Sequence, residues 1–331
     1  MSIGILLQQM MMIFILIMIG AFLYRKSMLS DSTAKQVSAL IINICNPALL
    51  ICSVFDAGPK ASTSDLLTGS FIILISYAIL ILCGYLMPYI LRAPKEDHFA
   101  YGLLTIYGNV GFIGIPLSMA VLGPGSLIYV SISNLIYNIL VYTQGIATIK
   151  AAVKRNKPLV PSDDIPNNET KKEETKSYAH RFFQITGKFI NAGTISAILT
   201  IILYLSDIHI PALFSDTLTH VGRSTTFLSM LVLGVSVAQM PFAAIFSHKK
   251  LYAFAVLRMV LIPVLCVFLF RLFTDNMLII STTALMLSVP AGNVPLILCR
   301  QHDLDSALIS RGIILSTLLS FVTIPIVTLF V

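Results

Sequence analysis

The sequence predicts an all-α integral membrane protein of ten transmembrane helices, built as two inverted five-helix repeats with one broken helix in each. Three observations predict it. Apolar residues make up 56% of the 331 residues and charged residues only 11%, where a soluble domain carries about 25% charged. One long polar stretch, near 150–186, separates five apolar runs from five more. The fourth and ninth runs are each interrupted by glycine, asparagine and proline: residues 107–116 read YGNVGFIGIP and residues 288–295 read SVPAGNVP.

The runs follow from a simple ruler, since about 20 apolar residues cross a bilayer. They lie near 3–23, 34–55, 66–91, 99–122, 126–149, 187–206, 216–239, 250–273, 276–299 and 306–329. No lysine or arginine precedes the first run, so it lacks the basic start of a signal peptide and is expected to stay as a span. The central stretch contains KRNKPLVPSDDIPNNETKKEETK and reads as a polar linker. The expected units are 1–149, the first five-helix repeat; 150–186, a cytoplasmic linker; and 187–331, the second repeat.

Orientation follows from basic residues in short loops. The loops after spans 1, 3, 5, 7 and 9 hold Arg25, Lys26 and Lys35; Arg92 and Lys95; Lys150, Lys154, Arg155 and Lys157; Lys249 and Lys250; and Arg300. The opposite loops hold Lys60 and, at a span end, Arg271. This asymmetry predicts cytoplasmic odd-to-even loops and both termini outside. An odd number of spans per half makes the second half enter with opposite orientation.

The interruptions carry the functional argument. Glycine costs about 1 kcal/mol and proline about 3 kcal/mol against alanine inside a helix. In lipid, a broken helix survives only where protein or water covers the freed backbone. Two interrupted spans at corresponding places point to a mid-membrane binding site. A half-helix starting there aims free N–H groups and partial positive charge at the gap, an arrangement that suits anions. Asn109, Gly111, Gly114 and Pro116 are therefore expected to face Pro290, Gly292, Asn293 and Pro295. The competing reading is two simple kinks, which the matched positions disfavour.

Other polar residues could join this site. Span 2 offers Asn43, Asn46 and Pro47, and Pro47 frees a carbonyl one turn earlier. Span 5 places Asn134, Tyr137 and Asn138 on one helical face, with Gln144 further along; hydrogen bonding between helices explains them equally well. Arg258, within span 8, could fork a carboxylate or snorkel. Arg223 and Arg311 read as snorkelling residues, and His220 as an interfacial one. No aspartate or glutamate falls mid-span, which argues against a cation antiporter that relays charge through membrane carboxylates.

Several classes are excluded. The +7 net charge lies mainly in loops rather than on a basic face, so no nucleic-acid partner is expected. Cys45, Cys52, Cys83, Cys266 and Cys299 form no CxxC pair and read as buried small hydrophobes, so no metal is expected. No enzyme motif is present, and no cofactor is implied.

At GNVGFIGIPL in span 4 and VPAGNVPLILCRQHDLD in span 9, the sequence resembles the auxin efflux carrier family, including bacterial members described as malate permeases or organic acid transporters. NPALL in span 2 and NAGTISAIL in span 6 extend the resemblance over nearly the whole chain. Ala192 stands where the family commonly has proline after the asparagine, and Phe227 where a proline is frequent. The resemblance implies a crossover-helix fold with one bundle moving against a scaffold. It implies secondary transport of a small organic anion, malate-like or related, across the plasma membrane by alternating access. Coupling to protons or to sodium stays open, and a homodimer is compatible with the sequence. The alternatives are a non-transporting sensor or scaffold of the same fold, or a sodium- or proton-coupled cation antiporter.

Overall fold

The computed structural model describes residues 3–56, 60–156, 191–206, 211–239, 249–302 and 304–331, and among these every regular element is helical, apart from one isolated bridge. Among the described residues, six helical stretches are long and apolar enough to cross a membrane: 31–55, 63–90, 124–155, 212–238, 249–270 and 307–328. Shorter apolar helices cover 11–25, 110–122, 192–205 and 277–288. Each of these stretches falls on one of the runs read from the sequence.

Helix starts are set by side-chain caps, which satisfy the free N–H groups of a first turn. Helix α1 spans Ile3–Arg25. The Ser30 hydroxyl accepts from Thr33 N at 3.2 Å and opens α2 (Asp31–Leu40). Span 2 continues through a π turn, Ile41–Cys45, into α3 (Asn46–Asp56). The Ser62 hydroxyl accepts from Asp65 N at 3.0 Å and opens α4 (Thr63–Ile90).

Span 4 is the first broken one. Helix α5 (His98–Ile106) stops, and the chain resumes as a π turn, Val110–Gly114, and α6 (Ile115–Leu122). Span 5 comprises α7 (Leu127–Leu140), a π turn at Val141–Gly145 and α8 (Ile146–Asn156). Helix α8 therefore runs past the expected boundary at 149. Ala151 and Ala152 favour helix, and Lys154 and Arg155 in the last turn suit its negative end. The rest of the expected linker, from 157, and the expected start of span 6 at 187–190 lie outside the described residues.

In the second half, the Asn191 carboxamide accepts from Thr194 N at 3.0 Å and opens α9 (Ala192–Leu205). It is followed by α10 (Ala212–Ala238). Span 8 is α11 (Lys249–Val256), a π turn at Leu257–Leu261 and α12 (Ile262–Phe270). Span 9 is the second broken one, with α13 (Met277–Ser288) and α14 (Val294–Gln301), and α15 (Ala307–Thr328) ends the fold.

Three of the π turns share a cause. Pro47, Pro116 and Pro263 each follow a π turn by two residues. Proline cannot donate to the carbonyl four residues back and clashes with it, and a widened turn accommodates both defects.

The helices pack in two groups. Helices α1, α3, α9 and α10 form one, with α1 against α10, and α3 against both α9 and α10. The α1–α10 crossing brings backbones together: a Cβ on Gly20 would overlap the Leu231 carbonyl, and one on Gly234 would overlap the Ile17 carbonyl. Small residues allow this approach in membranes, where packing rather than hydrophobicity holds helices together. The other group contains α4, α5, α7, α13 and α15, with α12 against α13. Helix α9 packs on α7 and joins the two groups.

Candidate functional site

The two broken spans meet at their breaks. Gly108 and Ala291 form an isolated antiparallel bridge. Asn109 N donates to Pro290 O at 2.7 Å, and Gly292 N donates to Tyr107 O at 2.8 Å. The breaks thus satisfy each other's freed backbone, as a buried interruption requires. Glycine is needed at this contact, because a Cβ on Gly292 would lie 2.7 Å from Gly108 O. The Ser316 hydroxyl of α15 accepts from Ala291 N at 3.1 Å and ties the crossing to its neighbour. The first break falls at Tyr107–Asn109, before the π turn, so Gly108 and Asn109 interrupt the span while Pro116 sits in the first turn of α6.

On one side of the crossing lies a cavity of about 380 Å³, within the usual range for small-molecule sites. The π turn leading into α6 and the start of α14 both open onto it. Its wall is rich in carboxamides. Asn46 and Asn191 come from the α3–α9 side, Asn134 and Asn138 from α7, and Asn109 and Asn293 from the crossing. Among the described residues, no aspartate, glutamate, lysine, arginine or histidine lines it.

Backbone bonds and a chain through Asn134, Asn138 and Asn191 hold the carboxamides. Asn46 Nδ2 donates to Gly111 O at 3.0 Å, and Asn134 Nδ2 to Gly193 O at 3.3 Å. Asn138 Nδ2 donates to Asn134 O at 2.8 Å. Asn191 Nδ2 reaches Asn138 Oδ1 at 3.5 Å. Asn109 Oδ1 accepts from Phe112 N at 3.2 Å and shapes the π turn. Asn46 is only 6% exposed, and its Oδ1 is buried without a partner; a buried acceptor left so is costly, and the residue is part of the wall of a ligand-sized space.

Of the expected site residues, the structure brings Asn46, Asn109, Gly111, Asn138, Gly292 and Asn293 to this cavity. Pro47, Gly114, Pro116, Pro290 and Pro295 are not among its lining residues; they shape the backbone beside it. Arg258 lies elsewhere. It lines a separate cavity of about 20 Å³, and Gly108 and Val110 of the crossing border both spaces. Asn43 is exposed and donates to Ala39 O of its own helix, while Arg223 and His220 are exposed. The expectation missed Asn191, Gly193 and Ser196 at the start of α9. Their available signal was the NAG triplet, an asparagine cap at the head of an apolar run.

The family described as membrane transport protein matches residues 5–328, nearly the whole chain. The chain belongs to that family. This is the auxin efflux carrier group that the crossover motifs resemble. No curated protein matches the chain.

Proposed function

We propose that this membrane transport protein is a secondary carrier of small organic anions, bound one carboxylate at a time at the amino ends of the two broken helices. The observation that carries the reading is the Gly108–Ala291 bridge, which sets the π turn before α6 and the start of α14 against one cavity. Two helix amino ends supply about one unit of positive charge together, and among the described residues the lining has no carboxylate to cancel it. Carboxamides offer both donors and acceptors for the remainder of the molecule.

In this reading the ten spans are two inverted repeats with both termini extracytoplasmic in the plasma membrane. The bundle carrying the crossing moves against the α1, α3, α9 and α10 group. The division of the cavity wall between the two groups supports such movement. Coupling runs on a proton or sodium gradient.

The test is uptake of labelled mono- and dicarboxylates into proteoliposomes, with sodium and pH gradients imposed separately. Asn109→Ala and Asn293→Ala are expected to abolish uptake while both variants still insert and purify. Full uptake by both variants overturns the site. Saturable binding without flux would indicate a sensor instead.

A further inference from the structure

We propose that Arg258 is a positioning residue that clamps the carboxyl ends of both incoming half-helices and balances their charge, leaving the field of the amino ends to the cavity. Arg258 is 2% exposed and sits in the π turn of span 8. Its Nε donates to Thr105 O of α5 at 2.5 Å, and its Nη1 donates to Leu287 O of α13. One guanidinium therefore joins the last turns of two helices from opposite halves of the chain.

Those carbonyls need a donor from outside. The last four carbonyls of a helix have no partner within it. Tyr107 N takes Leu103 O and Val289 N takes Leu285 O as the two ladders end. Thr105 and Leu287 lie beyond those bonds, and the arginine fork reaches both. A lysine lacks this planar fork but brings the same unit charge on a flexible stem, so it separates the charge from the fork.

The charges close. Each helix carboxyl end carries about half a negative charge, so two match one arginine. Among the described residues, no aspartate or glutamate lines the cavity beside Arg258, and a buried charge needs a counterpart. The helix ends supply it. The same cavity, at about 20 Å³, has room for little more than a water molecule, so an organic carboxylate does not reach the guanidinium there. Arg258 thus acts on the transport site through the helices it holds.

The consequence is electrostatic. Without the arginine, two uncompensated carboxyl ends oppose the positive amino ends across the crossing. A unit charge about 10 Å away, at an effective dielectric near 20, changes an ionisation equilibrium roughly tenfold.

The experiment measures that field with a thiol. Ile297 lies one turn into α14, is about half exposed and lines the carboxamide-rich cavity. Ile297→Cys is made in protein whose five native cysteines are replaced by alanine, and its labelling by an uncharged methanethiosulfonate is followed over a pH series in nanodiscs. Thiolates are favoured at helix amino ends. Arg258→Met is expected to slow labelling about tenfold at fixed pH, and Arg258→Lys to restore most of the rate. If Arg258→Met does not purify, Arg258→Gln takes its place against Arg258→Lys. Equal rates for the arginine protein and the neutral variant overturn the proposal. So does a lysine variant no faster than the neutral one, which would leave Arg258 a packing element. No substrate enters the test, so it stands or falls apart from the anion-carrier reading.

Discussion

Gly292 N donates to Tyr107 O at 2.8 Å, so a residue of span 9 completes the backbone of span 4. Neither break is satisfied alone. Each supplies the hydrogen bonds that the other lost by leaving helical geometry, and the two halves of the chain are tied where both are weakest.

This contact makes Gly292→Ala damaging despite its small size. The added methyl would lie 2.7 Å from Gly108 O and 3.1 Å from Gly108 C. These are backbone atoms that cannot swing away. Forced packing of this kind costs about 1–3 kcal/mol. Gly292→Ala is expected to lower the melting temperature and cut uptake at least roughly tenfold. Gly102→Ala is the control, since its Cβ would meet only Gly84 O at 3.4 Å. Equal uptake by the two variants would count against the bridge as the working centre.

Asn46 separates charge from shape. Its Nδ2 holds Gly111 O, and its Oδ1 is buried without a partner at the cavity. Asn46→Asp keeps the shape but brings negative charge to a place meant for a carboxylate. Like charges disfavour each other strongly in a low-dielectric site. The expected result is a KM for carboxylates raised about tenfold or more, with surface expression unchanged. An unaltered KM would remove Asn46 from the substrate path.

Gly234 tests the other helix group. A Cβ there would overlap Ile17 O and lie 2.8 Å from Gly20 Cα, and among the described residues neither α1 nor α10 lines the carboxamide cavity. Gly234→Ala is expected to destabilise the α1–α10 contact by about 1–3 kcal/mol. Thermal unfolding in detergent should register the loss. The protein that survives should keep its KM, because the cavity lining is untouched. A raised KM would show that the α1–α10 contact shapes the binding site as well.

Much of this was legible in the sequence. Hydropathy located the apolar runs, and the clusters at 107–116 and 288–295 marked the broken helices, because glycine, asparagine and proline cannot continue a helix cheaply. The exact break was less legible. Pro116 looked like the breaker, yet a π turn absorbs it, and Gly108 with Asn109 leaves the helix earlier. Arg258 was unreadable for a different reason. A lone intramembrane arginine suggests a ligand contact, whereas the fold brings to it two carbonyls 182 positions apart in sequence, Thr105 and Leu287. Asn191 was hidden because capping and cavity-lining asparagines look alike in sequence.

Tyr107 offers a last test, of how the crossing is held to its neighbour. Its hydroxyl lies 2.5 Å from Gln144 Oε1 and 2.9 Å from Leu140 O, both of span 5. Its ring meets Tyr137 edge to face, with centroids 5.7 Å apart, and Tyr137 lines the cavity. Tyr107→Phe keeps the ring and removes only the hydroxyl. The lost hydrogen bond is worth about 1 kcal/mol, and more if Leu140 O and Gln144 Oε1 are stranded. The broken span would then be free to shift against the π turn at Val141–Gly145. The expected outcome is a lower melting temperature together with a changed maximal velocity, measured on the same proteoliposome preparation. Tyr129→Phe, which removes a buried hydroxyl that has no hydrogen-bond partner and does not line this cavity, should leave both close to the parent values. If Tyr107→Phe behaves like Tyr129→Phe, the hydroxyl does not hold the crossing, and the ring packing alone positions span 4.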